Sequence, residues 1–482
     1  MGAVAVTSAS PLDLHEVQGL FARGYGNLKA AAFLLLAFGD AAAARRWLGE
    51  ASAAITSADA RPADRALNLA FTSNGLERLG LDRSALELFS NEFVAGMTTP
   101  HRMRILGDLG ENAPAQWDWG GPGGPAIDGV LLLYARDREV LVSLEAEQTR
   151  ALAQGRIEVV KRLGTADLDG VEPFGFRDGI SQPLVEGLGK VGPLENTVRA
   201  GEFLLGYTNE YDLYTDRPLL DPAADPAGVL PRDAAGSGRA DLGRNGSYLV
   251  FRQLRQDVGA FWRFVDASTR RPDGSSDPSA RLRLAAKMVG RWPSGAPLTL
   301  APEGDDPALA EANDFAYHEL DRRGTRCPVG SHIRRSNPRD SLDPRPGSAD
   351  SFAINRRHRL LRRGREYGPA LSIDEALEAR DGADSDERGL HFLCLNANIA
   401  RQFEFVNHTW LNNPKFDGLY DDADPLFAPG AFTIPTDGVR ERVTDVPRFV
   451  SVEGGAYFFL PGLAALRYLA GEPGNSSSPV GS

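Results

Sequence analysis

The run Lys29-Ala-Ala-Ala-Phe-Leu-Leu-Leu-Ala-Phe38 is almost wholly apolar and stops at Gly39-Asp40. An apolar run of this length, bounded by a turn signal, predicts a buried strand. Asp40 stands where a helix N-cap belongs, ahead of Ala42 to Leu48, so the strand leads into a helix. This first ordered block spans Val17 to Gly49. The same form recurs twice. Gly129-Val-Leu-Leu-Leu-Tyr-Ala-Arg-Asp137 predicts a strand entering a helix that ends near Gln154. Gly389-Leu-His-Phe-Leu-Cys-Leu-Asn396, continued by Ala397 to Glu404, again reads as strand, polar turn and amphipathic helix. One such copy in each half predicts two similar α+β domains.

Between these blocks the pattern breaks down. Stretches 214–245, 268–280 and 340–350 are rich in Asp, Pro, Gly and Ala and predict long loops. The chain has 482 residues, whereas a single core stops growing at roughly 250–300. Two units are therefore expected, 1–165 and 166–470. The Gly/Ser/Pro-rich 471–482 is expected to be a disordered tail.

Composition narrows the function. The net charge of −12 argues against nucleic acid and anionic membranes as partners. The longest apolar stretch, Ala30 to Ala37, is too short to span a bilayer. Cys327 and Cys394 are far apart and neither lies in a CxxC pair, which fits a reducing compartment. The N-terminal segment has no basic start and no long apolar run, so a cytoplasmic enzyme is expected.

Common motifs fail: there is no Walker A sequence, no HExxH and no G-x-S-x-G. Of the seven histidines, no two sit at helical ligand spacing. A single histidine still suffices for haem iron, because the porphyrin supplies four donors.

Three stretches carry candidate chemistry. His332 lies in Arg326-Cys-Pro-Val-Gly-Ser-His-Ile-Arg-Arg-Ser-Asn-Pro-Arg339, where small residues precede it and arginines suited to carboxylates follow. Asp178 lies in Glu172-Pro-Phe-Gly-Phe-Arg-Asp-Gly179, a carboxylate between glycines in an aromatic setting, and so a candidate acid/base. Arg356-Arg-His-Arg-Leu-Leu-Arg362-Arg-Gly-Arg is a basic run broken by leucines, which at strand spacing turns Arg362 away from the face of Leu361.

Taken in order, these stretches resemble the dye-decolourising peroxidases. The resemblance rests on Gly175-Phe-Arg-Asp178-Gly179, the block from Gly330 through His332 to Arg339, the Arg362-Arg-Gly-Arg-Glu-Tyr-Gly368 stretch, and Arg401-Gln-Phe-Glu404-Phe. N-terminal blocks at Val17 and Asn68 resemble the family's longer members, and the order holds over roughly 15–465.

The resemblance implies an α+β fold of two ferredoxin-like domains with antiparallel sheets and peripheral helices, like a dimeric α+β barrel. It implies one haem b in the C-terminal domain with His332 as iron ligand. Gly179, Ile180, Ser181, Asn337, Arg339 and Arg362 would contact the haem, with Arg339 on a propionate. Asp178 and Arg362 would act on hydrogen peroxide. Glu404 is the candidate acceptor for the ligand's second ring nitrogen.

The implied reaction passes through a ferryl compound I and oxidises bulky dyes and phenolics in one-electron steps, best in acid. Small organic reductants and peroxide are then the partners, for a monomer or homo-oligomer. Trp262, Trp292, Trp410 and Tyr367 are candidate surface relays. The same ligands would also serve a haem-handling protein that stores, delivers or strips haem. A cofactor-free interaction module is a third possibility.

Overall fold

The computed structural model describes residues 11–190, 192–379 and 387–471; beyond Gly471, the tail expected to be disordered lies outside the described residues. The first apolar run forms strand β1 (Ala30–Phe38). Its side chains divide by parity. Ala32, Leu34, Leu36 and Phe38 enter one core with Trp47 and Leu48. Ala31, Phe33 and Leu35 enter another with Leu20, Phe21 and Phe251. Both faces are covered, which is why the run shows no polar alternation. Burying a Leu or Phe contributes about 1.5–3 kcal/mol each.

Helix α1 (Ala41–Ser52) follows, with Asp40 accepting from the Ala43 N–H at 2.7 Å as the expected cap. The half continues with β2 (Arg65–Phe71), β3 (Gly129–Ala135), α2 (Arg138–Gln154) and β4 (Ile157–Gly164). These strands pair antiparallel in the order β2–β3–β1–β4.

The second half repeats the plan. Its strands are β5 (Ser247–Gln256), the short pair β6 (Leu361–Arg362) and β7 (Arg365–Tyr367), β8 (Gly389–Asn396) and β9 (Val450–Leu460). Helices α3 (Val258–Ser268) and α4 (Pro278–Val289) follow β5. After β8, Ala400–Glu404 and Val406–Leu411 form wide π-helical turns. The strand order β6–β8–β5–β9, with β7 also on β8, matches that of the first half position by position. This is the α+β repeat that the paired sequence blocks predict, in the ferredoxin-like form that the resemblance implies.

The two halves share one nine-stranded sheet, joined where Phe459 of β9 pairs with Phe71 of β2. The ends of the order, β4 and β6, do not pair with each other, so the sheet stays open. Rings from both halves meet across its inner face, Phe33 edge-on to Phe251 at 5.6 Å between centroids. Of the loops predicted from composition, 214–245 is pinned by buried Arg217, which pairs with Asp233 and with Asp241. Among the described residues no helix is long and apolar enough to cross a membrane.

Candidate active site

A cavity of about 260 Å³ opens within the second half. Alternation along the sheet supplies one wall. Arg252, Leu254 and Gln256 of β5, Leu390 and Phe392 of β8, and Val450 and Val452 of β9 line it. Phe403, Val406 and Leu411 of the π-helical turns and the loop Phe174–Ser181 supply the rest, with residues 106–108 and Asn112 of the first half at one end.

His332 begins a five-residue helix, α5 (His332–Ser336), and lines the cavity. The small residues before it serve packing. A Cβ at Gly330 would come within 3.3 Å of Phe432, and the Ser331 hydroxyl donates to the Lys287 carbonyl at 2.6 Å. The His332 ring stacks on Phe427 at 5.5 Å. Its Nδ1 lies 2.8 Å from Oδ2 of fully buried Asp424, whose Oδ1 accepts from the Leu426 N–H. An ionised carboxylate can only accept, so Nδ1 carries the proton toward Asp424, and Nε2 is the ring nitrogen left for a ligand. Burial pushes the imidazole pKa down, but the charge and hydrogen bond of Asp424 push it up and prevail.

The partner of His332 is therefore Asp424, not Glu404. Glu404 lies in the π-helical turns, where Arg102 and Tyr457 donate to it, the latter at 2.8 Å. It does not line the cavity.

Asp178 also lines the cavity. It lies in a tight loop between Gly175, with φ of +98°, and Gly179, with φ of +80°. A Cβ at either would meet nothing within 4 Å, so the glycines are required by backbone conformation rather than by space. Arg362 Nη1 donates to Asp178 Oδ1 at 3.0 Å, and the Gly179 N–H donates to the same oxygen at 2.6 Å. Oδ2 has no partner among the described residues. The carboxylate is 38% exposed and lines the cavity. Burial raises its pKa; the Arg362 charge, the Gly179 N–H and His332 together outweigh that and hold it below the ordinary value. Leu361 is buried on the opposite side from Arg362, as strand spacing predicts.

Ile180, Ser181, Asn337 and Arg339 line the same cavity, whereas Gly179 does not and turns its N–H to Asp178. Asn337 Oδ1 accepts from Asn355 at 2.7 Å, and its Nδ2 is buried without a partner. Arg339 lies over the Phe315 ring at 3.8 Å and donates to Asn313 and the Phe315 carbonyl. The other two arginines of its block are used elsewhere. Arg334 binds Asp321 and the Cys327 carbonyl, and Arg335 binds carbonyls from Gly330 to Asp422.

Two cations at the cavity escape sequence reasoning. Arg291 donates to the Gly295 and Ala312 carbonyls, and Arg359 to the Ser181 carbonyl. Burial lowers their pKa values to about 10 and about 9 respectively. No carboxylate pairs with Arg291, Arg339 or Arg359 among the described residues, although all three are buried. Buried unpaired cations are costly, so this end of the cavity suits an anionic ligand. Among the described residues no three His, Cys, Asp or Glu side chains cluster to hold a metal. A metal on His332 would need further donors from a bound group. The donor set thus fits a planar metal-ring group bearing carboxylates.

No family model matches the chain. The chain is 32% identical to a dye-decolorizing peroxidase of Mycetinis scorodonius, over 96% of its own length and 89% of that relative's. It belongs to the dye-decolorizing peroxidases. It is 33% identical to a multifunctional dye peroxidase of an Amycolatopsis species, covering 90% of this chain and 91% of that one. A solved dye-decolorizing peroxidase in complex with 2,6-dimethoxyphenol superposes with a TM-score of 0.75 and 28% identity, covering 95% of this chain and all of that one. A fungal DyP-type peroxidase from Auricularia auricula-judae gives 0.75 and 26%, over 96% and 100%. This peroxidase is therefore an oxidoreductase with hydrogen peroxide as acceptor.

The four aromatics expected as surface relays are all buried: Trp262, Trp292, Trp410 and Tyr367. Trp262 Nε1 donates to the Phe174 carbonyl, and Tyr367 stacks on His391 at 4.5 Å. None of the four can touch a dye at the surface.

Proposed function

We propose that this peroxidase holds one haem b in the cavity, with His332 Nε2 as iron ligand and Asp178 and Arg362 on the peroxide side. The observation that carries the reading is one cavity lined by a histidine with a free Nε2, a carboxylate with a free oxygen, and buried arginines without carboxylates. Arg339, Arg291 and Arg359 would hold the propionates, and Ile180, Ser181 and Asn337 would line the ring. When bound, haem supplies the redox chemistry, in which peroxide takes two electrons and two organic molecules return one each.

The chain's own groups do the rest. Arg362 and the Gly179 N–H both engage Oδ1 of Asp178, so Oδ2 is the oxygen that takes a proton from peroxide and returns it to the departing oxygen. Arg362 adds a fixed charge where negative charge develops as the O–O bond breaks. Asp424 fixes the His332 tautomer and raises the basicity of Nε2. Because Asp178 stays ionised in acid, the peroxide step persists there, which permits the acidic optimum proposed for dye oxidation.

Dyes and phenolics are the proposed donors, as the names of the relatives support. A cytoplasmic setting is part of the proposal, supported by two buried unpaired thiols. Turnover of peroxide with 2,6-dimethoxyphenol by the purified haem protein tests it. Slow turnover with freely exchanging haem would overturn it in favour of a haem carrier.

A further inference from the structure

We propose that Glu172 is a positioning residue for Asp178, holding the loop from which that carboxylate projects. The inference rests on the reading of Asp178 as the proton carrier. Glu172 lines the same cavity, six positions earlier in the chain. It closes the loop twice with its backbone. Its N–H donates to the Phe176 carbonyl at 2.9 Å, and its own carbonyl accepts from the Gly175 N–H at 2.8 Å.

Its side chain then folds back into the loop. Oε1 accepts from the Phe176 N–H at 2.9 Å, and Oε2 accepts from the Phe174 N–H at 3.1 Å and from Gln256 Nε2 at 2.6 Å. One carboxylate therefore takes three donors, as charge-assisted acceptors do. Neither peptide N–H has another acceptor among the described residues.

Gln256 stands on β5 and pairs in register with Val450 of β9. A continuous path thus runs from the sheet through Gln256 and Glu172 to the Phe176 peptide. From there the chain needs two residues to reach Asp178. The rings of the loop are anchored separately, Phe174 against Phe261 at 4.6 Å and Phe176 stacked on Trp262 at 6.3 Å. They set how deep the loop sits. The carboxylate sets the direction of its peptide groups. Burial pushes the Glu172 pKa up to about 7, against the pull of Gln256 and the two N–H groups. A carboxyl retained beside Asp178 at that cost marks a functional site.

The role acts through Asp178, so the two residues should not add. Glu172→Gln keeps the size but turns an amide NH2 toward donors, and Glu172→Ala removes both acceptors. In the haem-loaded enzyme at about pH 8, where Glu172 is ionised, Glu172→Gln is expected to slow the Soret change on mixing with peroxide by about 10-fold or more, as small misplacements of reacting groups do. The KM for 2,6-dimethoxyphenol at saturating peroxide stays the same. In an Asp178→Ala background, Glu172→Gln brings no further loss. In hydrogen exchange, the Phe174 and Phe176 amides open faster in Glu172→Gln, while those of β8 do not. Equal losses in both backgrounds, or a Glu172→Gln enzyme at the parent rate beside a slow Asp178→Ala, overturn this inference alone. Asp178→Ala at the parent rate overturns the reading beneath it.

Discussion

Nδ1 of His332 and Oδ2 of Asp424 lie 2.8 Å apart, across 92 residues of sequence. A carboxylate in that place fixes the ring and makes Nε2 a stronger donor. Asp424→Asn is expected to weaken haem binding by about 10–100-fold, the usual cost of losing such a partner. Glu404→Gln is expected to leave haem affinity unchanged, because Glu404 serves Arg102 and Tyr457. Haem titration of both variants separates the two carboxylates, and the reverse ranking would refute the assignment.

Among the described residues, Asp178 is the one carboxylate in hydrogen-bond contact with Arg362. Asp178→Ala is expected to slow the reaction with peroxide by about 10²-fold or more, the range of lost acid–base catalysis. Stopped-flow Soret traces report it directly. Traces matching the parent would remove Asp178 from the mechanism.

The acid limb has a definite sign. Asp178 must be ionised to accept a proton, and its surroundings hold its pKa below the ordinary value. The peroxide step should therefore stay level as pH falls through about 3.9, the unperturbed Asp value, and decline only below it. Arg362→Leu removes the largest lowering influence, so the acid limb moves to higher pH. A limb that stays in place in that variant contradicts the charge argument.

Arg339 is buried and its donors go to carbonyl oxygens. Pairing with a propionate would add a charge-assisted bond, about 1.5–3 kcal/mol. Arg339→Ala is expected to lower haem affinity by about 10-fold or more, with little dependence on salt because the pair is buried. A loss that vanishes at high salt would place the arginine at the surface instead.

Much of this was legible in the chain. The apolar runs at Ala30, Gly129 and Gly389 foretell strands because both faces of the sheet are covered. Their repetition foretells the two matching halves. Asp178, His332 and Arg362 stand out because each lies in a short ordered block. Asp424 does not, since it belongs to Asp421-Asp422-Ala423-Asp424, where the neighbouring acids carry the same local signature. Only the fold sends Asp422 to the Thr433 N–H and Asp424 to His332. Glu404 misleads because the predicted helix runs as π turns that carry its carboxylate to Arg102 and Tyr457. Arg291 and Arg359 are ordinary cations in sequence, and only their burial without carboxylates singles them out. The small residues before His332 pack against Phe432 and reach a carbonyl of α4.

The central claim is that His332 alone holds the iron from the protein side. The most direct test is the Soret spectrum of His332→Ala, purified and titrated with haem beside the parent, with its fold checked by circular dichroism. The folded variant should lack the parent's Soret band and take up no stoichiometric haem. A folded His332→Ala with the parent's Soret band would contradict the claim.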